Sequence, residues 1–160
     1  AQLLVRIADE LGQPDAARDM AHEAAHLARY VNERLWDEAS GMLVDGLPDG
    51  ARSPVKTVGA FWALLADLLP PERRSRLIAQ LDNPATFGRP HGVPSLAADQ
   101  PHYHPRGGYW LGGVWPPTTY MALRGLTRAG EDALAHRIAR RHHDAVVATF
   151  AATGTIWENY

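Results

Sequence analysis

Between Gly108 and Tyr120 the sequence reads Gly-Tyr-Trp-Leu-Gly-Gly-Val-Trp-Pro-Pro-Thr-Thr-Tyr, with four large aromatics and three glycines in thirteen residues. Aromatic rings offer flat apolar faces, and Tyr and Trp add a polar tip, so such a cluster on a loop can line a pocket for a flat, partly polar ligand. A sugar ring fits that description. The competing reading is a buried loop whose rings plug the end of a helical core. A second constellation, His22-Glu23-Ala24-Ala25-His26, matches the zinc metallopeptidase pattern of two His at i and i+4 with a Glu between. A catalytic zinc needs a cleft and a third protein ligand, whereas His22, His26, Arg29 and Glu33 share the polar face of the expected helix. His102-Tyr103-His104 sits in a long loop where it could hold a metal or hydrogen-bond sugar hydroxyls, although loop histidines are more often structural or solvated. His142-His143 reads as a surface pair.

The elements that must position these residues are helices. Leu3, Leu4, Ile7 and Leu11 mark one helical face over residues 1–12, stopped at Gly12. Pro14-Asp15 starts a longer helix to about Leu35, with a buried stripe expected through Met20, Ala24, Leu27, Val31 and Leu35. Trp36 to Gly41 ends it, and residues 42–53 read as a Gly/Pro/Asp-rich loop. A third helix is expected over 57–69 and a fourth over 72–81, divided by Pro70-Pro71. Residues 82–117 lack apolar periodicity and hold most of the prolines, and a loop of that length inside a compact domain is usually functional. Helices resume over 117–129, through Tyr120, Met121, Leu123 and Leu126, and over 131–150, through Leu134, Ile138, Ala145 and Val146. No strand set emerges, so the fold class is all-α, built of stacked antiparallel hairpins.

The whole chain narrows the function classes. Its 160 residues suit a single domain, and 46% hydrophobic with 21% charged residues is ordinary globular composition. A formal net charge of −2, with fifteen of sixteen basic residues being scattered Arg, offers no footprint for nucleic acid or anionic membrane. Without Cys there is no disulfide, thiolate metal site or thiol nucleophile. No apolar run approaches a membrane span, and the N-terminus lacks a basic-then-apolar leader, which leans toward the cytoplasm without fixing a compartment. No cofactor is implied.

Taken in order, Trp36-Asp37 with Gly41, then Val93-Pro94-Ser95-Leu96-Ala97-Ala98-Asp99, Tyr109-Trp110-x-Gly-x-Val-Trp115-Pro116, Arg124-Gly125-Leu126, and Gly154 with Glu158-Asn159-Tyr160 form a series. That series resembles the C-terminal part of the (α/α)6-barrel catalytic domain of glycoside hydrolase family 63-like enzymes. This group includes processing α-glucosidases and mannosylglycerate hydrolases, with trehalases more distant. The resemblance implies that Tyr109, Trp110 and Trp115 wall a sugar pocket and that Glu158 is the general base; Tyr103 and Asn159 are further candidate substrate contacts. It also marks two departures: Leu111 stands where the family has Arg, and Gly113 where it has Pro, which removes a hydrogen-bonding fork and should loosen the loop.

Inverting hydrolysis needs an acid to protonate the leaving oxygen and a carboxylate about 6.5–9.5 Å away to activate water. One carboxylate cannot do both. Trp157 precedes Glu158 and could desolvate it as a base requires; alternatively Glu158 is a solvated residue beside a helix terminus. The resemblance places the general acid on an upstream loop outside this chain, and Asp45 and Asp99 are the loop acids available as substitutes, each more naturally a turn residue. The expectation is a C-terminal fragment with little activity alone, completed by the missing N-terminal half or by a second copy closing a pseudo-barrel. Its partner is a small α-linked carbohydrate. A non-catalytic carbohydrate-binding or assembly module is the alternative, and a zinc peptidase through His22 and His26 the third reading.

Overall fold

The computed structural model describes residues 2–160. It is mostly helical, in agreement with the expected all-α class. Helix α1 covers Gln2–Glu10 and α2 covers Pro14–Tyr30, followed by a hairpin of two-residue strands, β1 Trp36–Asp37 against β2 Met42–Leu43. Short α3 spans Trp62–Ala66, α4 Pro71–Asp82, α5 Pro116–Arg128 and α6 Asp132–Thr153. Prolines at the first positions of α2, α4 and α5 preset the helical φ where no backbone N–H is needed.

Two expected helices differ in form. The segment read as continuing to Leu35 becomes a π-helical turn over Val31–Leu35. Asn32 explains the change, because its amide donates to Ala28 O at 2.8 Å and across to Leu68 O at 2.7 Å, inserting a side chain where the backbone ladder would run. The helix expected over 57–69 begins as a 3-10 turn, Val58–Phe61, and stops at Asp67, which takes a left-handed φ of 52°. Val58 N–H is committed to Ser95 O at 3.0 Å, so the chain enters this element from a bridge to another loop.

The core lies between α3, α4, α5 and α6. Phe61, Leu64, Leu77, Leu81, Phe87, Ala122, Leu126, Leu134 and Ile138 pack there with Trp36 and Met42. Helices α3 and α5 approach closely because Gly125 has no side chain: a Cβ there would meet Leu64 Cβ at 2.7 Å. The stripe expected to be buried on α2 is not. Met20, Ala24, Val31 and Leu35 are half-buried and Leu27 is exposed, while Leu3, Leu4, Ile7 and Leu11 of the α1 segment all face solvent. Periodicity located the apolar face, but among the described residues only its end, Val31 and Leu35, packs against the core.

Candidate aromatic and carboxylate site

Four loop segments are stitched together by backbone hydrogen bonds. Lys56 to Val58 bonds to Ser95 and Ala97, through Val58 N to Ser95 O at 3.0 Å and Ala97 N to Lys56 O at 3.1 Å. Ser95 N donates to Gly113 O at 3.0 Å, and Val114 and Tyr160 exchange both backbone hydrogen bonds, at 2.7 and 2.9 Å. These pairings were invisible to a search for strands. Each involves one or two residues contributed from far along the chain, too few to produce alternation. Their effect is to hold Glu158-Asn159-Tyr160 alongside Val114-Trp115.

The rings of the aromatic ribbon pack on one another. Trp110 stacks on Trp115 at 4.2 Å between centroids with 8° between planes, and Tyr109 meets Trp115 edge-on at 4.9 Å. Tyr109–Leu111 forms one 3-10 turn in which Tyr109 adopts a φ of 59°, an unusual conformation for a bulky residue that costs about 1–3 kcal/mol. Neighbouring bonds hold it there: His104 N to Leu111 O at 2.7 Å, Gly113 N to Tyr109 O at 2.9 Å and Gly112 N to Ser95 Oγ at 3.2 Å. Gly113 therefore does not loosen the loop as expected. Its N–H is engaged, and a Cβ there would lie 2.6 Å from Tyr109 O and 3.1 Å from Asn159 Oδ1. Ser95, 3% exposed and bonded to this turn, is a positioning residue, a role that its place in the motif series did not disclose.

Successive residues of the ribbon serve two faces. On one, the space beside Gly113 is bordered by Asn159 Oδ1 and Trp115 Nε1. On the other, Gly112, Val114 and Tyr160 line a hollow with Tyr103. The candidate residues thus divide, with Trp115 and Asn159 together and Tyr103 behind them. Tyr109 and Trp110 are exposed at 61% and 48%, whereas Trp115 is 5% exposed. Two buried polar groups here, Trp115 Nε1 and Thr119 Oγ1 in the first turn of α5, have no hydrogen-bond partner among the described residues.

Glu158 is exposed and lies in a bend five residues beyond the end of α6. The desolvation expected from Trp157 is not present. That indole is itself half-exposed and donates to Thr153 Oγ1 at 3.1 Å, so it caps the helix end instead of covering the carboxyl. Neither substitute acid stands beside it as a free carboxyl. Asp99 is ion-paired with Lys56, and Asp45 lines an apolar hollow with Thr57, Gly59 and Trp62. None of the hollows described includes Glu158, Trp110 or Trp115 in its wall.

The histidine constellations are dispersed. His22 and His26 are exposed on α2, and among the described residues no three His, Asp or Glu side chains are grouped to hold a metal ion. His102 and His104 are exposed. His142 is not the surface residue expected: it is half-buried against the Tyr160 ring, with centroids 5.8 Å apart, and burial lowers its pKa. His143 remains exposed beside Asp144 at 3.0 Å.

The mannosylglycerate hydrolase MGH1-like glycoside hydrolase domain matches the chain over residues 1–160. Mannosylglycerate hydrolase of Rubrobacter radiotolerans is 28% identical over 138 residues, 84% of this chain and 31% of that protein. The periplasmic trehalase of Xanthomonas oryzae pv. oryzae is 29% identical over 158 residues, 96% of this chain and 26% of the enzyme. Among solved structures, the GH63 mannosylglycerate hydrolase of Thermus thermophilus superimposes with a TM-score of 0.74 at 26% identity, covering 98% of this chain and 36% of its own. The chain spans about a third or less of the length of these relatives.

Proposed function

This chain belongs to the mannosylglycerate hydrolase MGH1-like glycoside hydrolase family, and from that premise we propose that it supplies the base-bearing part of an inverting glycosidase for small α-linked sugars of the α-glucoside, mannosylglycerate or trehalose type. Tyr109 and Trp110, backed by the buried Trp115, form the apolar wall against which a sugar ring rests, Asn159 hydrogen-bonds its hydroxyls, and Glu158 activates the attacking water. The observation that carries this reading is the paired Val114–Tyr160 hydrogen bonding, which keeps Glu158 two residues from a fixed point on the ribbon. The Thermus relative has been solved in complex with glucose, which makes that sugar the natural first probe.

The general acid comes from outside this chain, on a further segment of barrel or a second copy. The exposed apolar residues Leu3, Leu11, Trp62, Tyr120, Phe150 and Ile156 are the surface that such a partner covers. Once it is in place the Glu158 carboxyl is enclosed, and water is excluded from all but one direction. A carbohydrate-binding module that retains the wall and never acquires the acid is the second reading, favoured by the open setting of Glu158.

The test is turnover of trehalose and mannosylglycerate. The chain alone should hydrolyse neither; joined to the remaining barrel segment it should hydrolyse one of them, and Glu158→Gln should lower kcat by about 10²–10⁴-fold, the range for loss of a general base. Turnover by the chain alone, or full activity in Glu158→Gln, would overturn the assignment. Saturable glucose binding with no hydrolysis in either form would favour the binding module.

A further inference from the structure

The face of the ribbon turned away from Trp115 borders a hollow of about 440 Å³ that the glycosidase reading does not use. Its wall comes from three places: the Arg89–Gly92 turn, the 103–107 loop with Gly112 and Val114, and Ala145, Ala148 and Thr149 of α6, closed by Tyr160. Arg89, His91 and Arg106 all line it, together with Tyr103, and no Asp or Glu does. The lining is therefore cationic without a counter-charge. Six other arginines, Arg18, Arg73, Arg74, Arg76, Arg137 and Arg140, each reach a carboxylate, whereas neither arginine of the hollow forms an ion pair among the described residues.

Arg89 is held in a particular way. Its Nη1 donates to Pro84 O at 2.7 Å, and its guanidinium lies 5.8 Å from the Tyr103 ring centroid, so the side chain is fixed from two sides. Its Nε is buried and has no hydrogen-bond partner, and Nη2 also makes no hydrogen bond among the described residues. Nε and Nη2 are the two donors of the guanidinium edge that binds a carboxylate or phosphate through parallel hydrogen bonds. Nε is covered by protein, whereas Nη2 is neither hydrogen-bonded nor covered, so Nη2 is the charged donor left for a ligand oxyanion.

We propose that this hollow is an oxyanion-binding site, taking the phosphate or carboxylate group of a small molecule on the free Nη2 of Arg89, with Arg106 as the second cation. The volume accommodates a compact ligand, and Thr149 and Tyr103 are available to its polar groups. Because the hollow and Trp115 lie on opposite faces of the ribbon, its occupant does not compete with a sugar bound at the aromatic wall.

The experiment is a titration of the 160-residue chain with inorganic phosphate and, separately, with malonate, in constant ionic strength made up with chloride, following the Arg Nε–H resonances by NMR. A saturable shift of the Arg89 resonance is expected with at least one of the two anions, and which one responds identifies the source chemistry. Arg89→Gln should abolish binding and Arg106→Gln should weaken it about tenfold, the loss of one charge-assisted contact. Arg106 is exposed and bonded to nothing else among the described residues, so its variant reads out binding even where Arg89→Gln impairs folding. Saturation unchanged in Arg106→Gln, shifts that only track ionic strength, or silence from both anions would each overturn the proposal.

Discussion

The α1/α2 hairpin and the α3/α5 pair carry equally clear helical periodicity, yet their apolar faces meet opposite fates. On α5, Thr118, Thr119, Ala122, Gly125 and Leu126 are buried against neighbours, whereas α1 buries only Ala8 and α2 only Ala17. The difference is one of cover. Gly125 lets α3 come within contact of α5, and α4 and α6 complete the enclosure, while the α1/α2 hairpin packs mainly on itself. Amphipathic spacing tells which face of a helix prefers to leave water; it does not tell whether the same chain supplies what covers it.

The largest effects should separate these two regions. Leu126→Ala, in a fully buried site, should cost about 2–5 kcal/mol in urea unfolding, whereas Leu11→Ala, at a residue 66% exposed, should stay within about 0.5 kcal/mol. Equal losses would mean that the two hairpins share one core after all. Gly125→Val tests the close approach itself, and overpacking there should cost about 1–3 kcal/mol. Asn32→Ala is next. Its amide is the polar tie between the end of α2 and Leu68, and losing it should cost about 1 kcal/mol while making hydrogen exchange faster in α2 than in α5.

The smallest effect is a pH dependence confined to the α6 side. Burial holds His142 below its ordinary value of 6.5. Above that value both the folded and unfolded chains carry it neutral, and it contributes nothing. As pH falls below 6.5 the unfolded chain takes up the proton first, so stability declines until pH passes the folded value. His142→Phe should flatten the unfolding midpoint as pH falls below 6.5, and a wild-type midpoint already flat there would refute it. Glu38 acts in a lower window. Its carboxyl is held down to about 2 by the Trp36 indole beside it, which makes no hydrogen bond of ordinary geometry, and by Arg76 and Arg73. Its contribution is present above 4.5 and is lost as pH falls toward 2, in wild type and His142→Phe alike.

Helix positions were legible in the sequence because apolar spacing, Pro starts and Gly stops are local signals; α4, α5 and α6 lie within a few residues of their expected limits. The π turn after Tyr30 and the truncated α3 were not, since they depend on Asn32 reaching Leu68 and on Val58 reaching Ser95. At the candidate site, the aromatic ribbon and the Glu158 segment could be picked out as residues. Their adjacency rests on the Val114–Tyr160 pair, and the division of Tyr103 from Trp115 rests on which face of one short segment each residue occupies. Neither leaves a trace in local composition. The sequence left Glu158 either covered by Trp157 or solvated, and the choice between them rests on Trp157 turning to Thr153.

The central claim is that Glu158 and the indoles of the ribbon face one sugar. Indole and backbone amide NMR resonances followed during a glucose titration test it directly. The account predicts that the Trp110 and Trp115 indole N–H signals and the Glu158 and Asn159 amides shift along one saturation curve, while Trp36 and Trp62 stay still. Ribbon signals that saturate with Glu158 silent, or no response at either place, would contradict it.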